Sequence, residues 1–224
     1  MMRVKWPLVL GLLMLISLGA CANESTSAVE QPDNDKNIQS NEVESVATIE
    51  GKTFDTEDLA FYTFMEQIEI EANRYHDLEG LAADTAAERD LFWDEQAAYL
   101  ENINVQLQNM VEIYAIRLLA EEKHYDVPME KLDAAVNQFK DSIAEIDTVQ
   151  AMIQEYGETK FNRNIQDYMR SSLLRDRVVN DLLQAIQTEK PEQTEQEQSY
   201  QLQQDYEELL IDQMNTLEIE IHVK

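Results

Sequence analysis

Cysteine occurs once in these 224 residues, at position 21, so no disulfide can staple the chain and no cysteine-based zinc site can form. Glycine occurs five times, and only Gly51, Gly80 and Gly157 follow Cys21, too few for the turns of a mixed α/β catalytic domain. Bases are also scarce: 17 Lys and Arg stand against 45 Asp and Glu, a formal charge of −28. That excludes nucleic acid as a natural partner, because affinity for it comes largely from cations that neutralise phosphates. A surface so acidic would be repelled by an anionic bilayer too, and would need a covalent anchor to stay on one. Long apolar runs are confined to the N-terminus.

Arg3 and Lys5 open the chain, an uncharged apolar run from Pro7 to Ile16 follows, and Leu18-Gly19-Ala20-Cys21 closes it. Charged, apolar and small-residue regions in this order are those of a cleavable export signal. The apolar part is shorter than the roughly 20 residues that a transmembrane helix needs. Leu18, Gly19 and Ala20 before Cys21 resemble the lipobox of bacterial lipoproteins, with Gly19 a less common choice at its position. The resemblance implies that residues 1–20 are removed and that the Cys21 thiol carries a lipid at the outer face of a cell membrane. It also accounts for a single leftover thiol in an exported chain. Without Arg3 and Lys5, 15 bases face 45 acids, a charge of −30.

Residues 21–45 are rich in Asn, Ser, Glu, Asp and Gln and include Pro32. They carry too little apolar surface to order themselves and read as a tether, about 25 Å across as a coil. The body, residues 46–224, opens with the β-branched run Val46 to Glu50 and a turn at Gly51. Asp55 is placed to cap a helix with Glu57 and Asp58 in its first turn, and Leu59, Phe61, Tyr62, Met65, Ile68, Ala72 and Tyr75 recur at helical spacing. That helix is expected to end between His76 and Gly80. A second start is expected at Asp84-Thr85, where Thr85 and Glu88 have capping-box spacing. No glycine or proline then intervenes until Pro128, so one helix of about 40 residues, roughly 60 Å long, should be bent or project as an arm. Pro128 suits a first helical position, and Leu132, Val136, Phe139 and Ile143 follow on one face. A short helix stops at Gly157, another opens at Thr159, residues 188–198 read as a low-complexity loop around Pro191, and a last helix holds Tyr200 to Leu210. Leu217 to Val223 alternates strictly, as a half-buried strand does. Its only visible partner is the run at Val46, so a two-stranded pairing should bring the ends of the body together. The fold class expected is therefore mainly α, with a long helix and that small sheet.

The order of these pieces resembles the chaperone domain shared by SurA and the PrsA foldases. Val46 to Lys52 with Glu57-Asp58-Leu59 is similar to the opening of that domain, and Leu118 to Val127 to its central helix end. Tyr156-Gly157, Phe161 and Leu173 to Val178 are similar to its later helix pair, and Tyr206 to Leu210 leading into Leu217 to Val223 to its closing helix and strand. There are two departures. Tyr125 stands where the family often has glycine. Members with prolyl isomerase activity insert a parvulin domain between the late helices, where this chain has only residues 188–198, eleven in all, against at least about 50 for an independent domain.

Other chemistry is thinly represented. His76, His124 and His222 lack any metal-ligand spacing, and His222 reads as a solvent-side strand residue. Glu69 with Glu71, and Glu207 with Glu208, read as solvated faces of an acidic chain rather than acid/base couples. Trp93 beside Phe92 reads as a core anchor, and Met65, Met110, Met129, Met152 and Met169 as core residues within apolar stripes. No catalytic, cofactor or metal residue is expected, and the family resemblance alone would suggest an isomerase.

The resemblance implies an ATP-independent chaperone or foldase-like holder, anchored through Cys21, whose partners are unfolded or nascent exported polypeptides. The alternative is an adaptor or assembly lipoprotein that docks on one specific partner, and a third reading is an active prolyl isomerase.

Overall fold

Val46, Ala47 and Ile49 are buried in β1 (Ser45–Ile49), which holds the middle of a three-stranded antiparallel sheet in the computed structural model, where residues 44–223 are described. One neighbour is β3 (Ile219–Ile221), paired through Ala47 with Ile221, Thr48 with Glu220 and Ile49 with Ile219, so the ends of the body do meet. The other neighbour is β2 (Lys52–Asp55), and the expected two-stranded pairing is corrected to three strands. Glu50 and Gly51 both have positive φ, 49° and 76°, and such a two-residue turn folds Lys52 back onto Ile49. It also sends Phe54 into the core at 1% exposure.

Asp55 caps α1 (Thr56–Leu78) as expected, accepting from the N–H groups of Glu57 and Asp58, while the Asp58 carboxylate accepts from the Asp55 N–H. The 40-residue helix is corrected to two, α2 (Ala83–Tyr99) and α3 (Ile103–Glu122). The break has local causes. Leu100 is drawn into a small apolar cluster with Ile70 and Val105, and Asn102 caps α3 by accepting from the Asn104 N–H. The α2 start is also corrected: Ala82 is its N-cap and makes no side-chain capping bond, which leaves Thr85 inside the first turn.

The remaining helices are α4 (Met129–Ile143), α5 (Asp147–Tyr156), α6 (Glu158–Glu189) and α7 (Glu195–Thr216). Pro128 caps α4 from outside rather than opening it, and its carbonyl accepts from the Leu132 N–H at 3.0 Å. Gly157, at φ +103°, separates α5 from α6 in a conformation that L side chains rarely adopt. The stretch 188–198 is no loop of eleven residues. α6 runs to Glu189, and Thr194 with Glu197 forms a capping box that starts α7.

One core joins the inner face of the sheet to α1 and to α3 through α7. Phe54, Tyr62, Tyr114 and Tyr168 meet edge to face within it, at ring-centroid distances of 4.9 to 6.5 Å. Phe64 stacks on Tyr156 at 4.2 Å and ties α1 to α5.

Candidate functional site

Two regions stand out against this closed core, and both are built on α1. The first is its outer end. The chain reverses at Gly80, φ +76°, and α2 returns along the last third of α1, its one substantial neighbour among the described residues. Arg74 fastens the hairpin: Nε donates to Asp90 at 2.6 Å, Nη2 to Asp94 at 2.8 Å, and Glu71 stands 3.5 Å away. One turn further, the Asp77 carboxylate accepts from Arg89 at 2.8 Å and from the Trp93 indole at 2.9 Å. Those two donors hold Asp77 below the usual carboxylate range, the indole contributing most.

These polar pins take the place of a core, since α2 contains no buried residue. Trp93 and Ala97 rest against the small Ile70, Leu100 and Val105 cluster, so Trp93 is an anchor, although of this hairpin rather than of the main core. Phe92 meets Trp93 edge to face at 5.0 Å yet stays 42% exposed. Six of the eleven large apolar residues exposed among the described ones fall between Tyr75 and Ile103: Tyr75, Leu81, Leu91, Phe92, Tyr99 and Ile103. The hairpin therefore combines apolar side chains in water with an excess of carboxylates.

The second region lies where α1, α3, α6 and α7 converge. The Glu66 carboxylate accepts from Asn109 at 2.9 Å, and the Glu69 carboxylate from the Tyr168 hydroxyl at 3.1 Å. Burial pushes Glu66 up to about 7, and the neighbouring Glu69 and Glu112 add to the shift against the Asn109 hydrogen bond. Glu69, Glu112 and Asp176 are raised for the same first reason, desolvation. Arg175 is the cation among them. Burial disfavours its charge, but Glu69, with Tyr168, Tyr206 and Asp176, outweighs that and raises its pKa. Its nearest carboxylate oxygen, on Asp176, is 4.0 Å away, and its side chain keeps 30% of its exposure. Glu66, Glu69, Glu112, Arg175 and Asp176 are thus half-buried groups, desolvated yet still reached by water. Four carboxylates around one guanidinium leave the cluster short of positive charge.

The sequence reading missed this cluster. Its one sequence signal is that Glu66 and Glu69 directly follow Met65 and Ile68, both fully buried, and so stand at the edge of the apolar face of α1. Glu69 and Glu71 do not work as a couple, since Glu69 turns to Tyr168 and Glu71 to Arg74. Glu207 accepts from Gln203 within α7, and Glu208 is exposed. Met65 and Met110 are fully buried, Met152 and Met169 pack partly buried against the core, and Met129 stands out at 58% exposure. His76 lies in α1, His124 just beyond α3 and His222 after β3, where its Nε2 meets the Thr48 hydroxyl. Cys21, the preceding Leu18, Gly19 and Ala20, and the tether up to residue 43 lie outside the described residues; its expected end at residue 45 is corrected, since Ser45 opens β1 and the Glu44 carbonyl accepts from the Thr56 N–H at 3.0 Å. No described helix is long and apolar enough to cross a membrane. Comparison with protein-family models, with curated proteins and with solved structures gives no match.

Proposed function

We propose that the chain is an ATP-independent holder of unfolded exported polypeptides, anchored at the outer face of a membrane by a lipid on Cys21. The observation that carries the reading is the α1–α2 hairpin. Five of the eleven large apolar side chains exposed among the described residues lie on it, three of them, Leu91, Phe92 and Tyr99, on α2, which has no buried residue of its own. A holder needs accessible apolar surface that does not drive its own aggregation. The net charge of −28 meets the second need by keeping copies apart, and it favours basic stretches of a client.

Light scattering from two unrelated unfolded clients tests the reading. The full chain should delay aggregation of both at near-equimolar ratio, and a Leu91→Ser, Phe92→Ser variant should delay it less. Delay of neither client would favour a dedicated adaptor instead.

A further inference from the structure

The outward face of α2 has a pattern of its own. Trp93, Asp94, Ala97 and Asp90 turn toward α1, so a 100° step per residue puts Leu91, Phe92 and Tyr99 on the opposite side. Asp84, Glu88 and Glu95 fall between them on that side, and all three are exposed. Positions 84, 88, 91/92, 95 and 99 thus make one stripe with apolar and acidic side chains about a turn apart. Its ends, Asp84 and Tyr99, are about 22 Å apart along the axis.

The charges on this stripe are uncompensated. From Glu71 to Asn104 there are nine carboxylates and two arginines. Both arginines are engaged on the side facing α1, Arg74 with Asp90 and Asp94 and Arg89 with Asp77. Asp84, Glu88 and Glu95 have no cationic partner among the described residues. Phe92 already draws a guanidinium, that of Arg89 at 5.5 Å from its ring, and a second cation could approach its free side in the same way.

We infer that this stripe is the seat of a cationic amphipathic helix, a client segment in which Lys or Arg stand one turn from apolar residues. The inference rests on the polypeptide-binding reading above and adds which chemistry the surface selects. An apolar partner face would cover Leu91, Phe92 and Tyr99, while its cations met Asp84, Glu88 and Glu95. A second copy of this chain would bring carboxylates against carboxylates, and an acidic segment would do the same.

Fluorescence anisotropy of three labelled peptides of equal length decides the matter. One is a Leu/Lys amphipathic helix, the second its Leu/Glu counterpart, and the third has the first peptide's composition in an order that destroys the stripe. The Leu/Lys helix should bind the full chain at least about tenfold more tightly than either other peptide, and more weakly as salt is raised. Glu88→Lys with Glu95→Lys should reverse the preference between Leu/Lys and Leu/Glu. Leu91→Ser with Phe92→Ser should weaken binding of the Leu/Lys helix. Circular dichroism is expected to be unchanged in both variants, since α2 buries no residue. Equal binding of the three peptides, or variants without effect while client aggregation is still suppressed, would overturn the inference and leave the holder reading standing. Loss of aggregation suppression in the unaltered chain would instead overturn the holder reading.

Discussion

Thr48 and His222 stand 174 positions apart in the chain and meet through a 2.9 Å contact between Oγ1 and Nε2. The pair sits on the solvent side of the β1–β3 ladder, whose other face covers Ala47 and Ile49, both at 0% exposure. Around it the Glu50 N–H donates to the Glu218 carbonyl and the His222 N–H to the Val46 carbonyl, each at 3.0 Å.

Ending the chain after Thr216 should therefore uncover one edge of the central strand. Ile219 and Leu217 pack partly buried against the core, and the ladder hydrogen bonds would be lost with them. At about 1 kcal/mol per net hydrogen bond and less than about 3 kcal/mol per apolar side chain, the cost is on the order of 2 to 4 kcal/mol. Chemical denaturation should show a lowered midpoint, and an unchanged one would mean that β3 contributes nothing to the fold.

Arg74 should matter locally rather than globally. Its carboxylate partners Asp90 and Asp94 keep 42% and 59% of their side-chain exposure, so the pairs contribute less than about 1 kcal/mol to overall stability. Yet with the Asp77 bonds to Arg89 and Trp93 they are the polar pins that fasten α2, which has no buried residue, to α1. Arg74→Ala should speed hydrogen exchange across Ala83 to Tyr99 several-fold and leave the α3 and α6 amides as they were. Uniformly faster exchange throughout the body would show that the hairpin is not a separate unit.

The sequence is most legible where local chemistry and tertiary packing agree. Asp55 and its acidic first turn announce α1, and the alternation from Leu217 announces the closing strand. Two capping boxes separate the successes from the failures. Thr85 with Glu88 has the right spacing, but α2 already begins at Ala83, a good helix former, behind an extended Ala82, so Thr85 lies within its first turn. Thr194 with Glu197 has the same spacing inside a stretch of Glu, Gln and Thr and does cap a helix, because Pro191 and the turn before it have already stopped α6. The break at Leu100 to Asn102 has no glycine or proline to signal it and comes from tertiary burial of Leu100 against Ile70. β2 was hidden because a Glu-Gly turn and a single apolar residue, Phe54, are a weak hairpin signal. At the candidate sites, amphipathic period alone could not tell the acids of a solvated face from Glu66 and Glu69, which meet Asn109 of α3 and Tyr168 of α6.

Glu66 supplies a pH dependence whose sign is fixed by its environment. Its folded pKa is raised to about 7, so between the unfolded value near 4.5 and about 7 the folded state binds more protons. Stability therefore falls as pH rises through that window. Glu66→Gln keeps an acceptor for Asn109 without the charge. The variant should lose the share of this slope that Glu66 contributes, leaving that of Glu69, Glu112 and Asp176, and be more stable than the parent above pH 7 by roughly 1 to 2 kcal/mol, allowing for partial access of water. Urea titrations at pH 5 and pH 8 measure both, and equal slopes for parent and variant would place the raised pKa elsewhere.

The anchor is tested in cells. Changing Cys21 to Ser removes the thiol that the lipobox would acylate, and the protein should then partition into the aqueous phase of a detergent extraction or remain as the longer precursor. A Ser variant that stays in the detergent phase and migrates as the parent does would remove the lipoprotein reading.

Proline isomerisation is the activity that the family resemblance suggests and that this chain should lack. Uncatalysed rotation takes tens to hundreds of seconds because the peptide bond has partial double-bond character, and catalysis requires a pocket that binds the twisted amide better than the planar one. Between α6 and α7 there are only residues 190 to 194, held by the Lys190 bond to the Ile186 carbonyl and the Thr194 capping box. That link is an order of magnitude shorter than an independent domain. A client whose refolding is limited by one prolyl bond should accordingly refold with an unchanged slow phase at catalytic amounts of the full chain, while light scattering shows that the same chain still delays aggregation at equimolar amounts. Acceleration of the slow phase that a substitution within the helical body abolishes would place a catalytic pocket among α1 to α7 and overturn the reading as a pure holder.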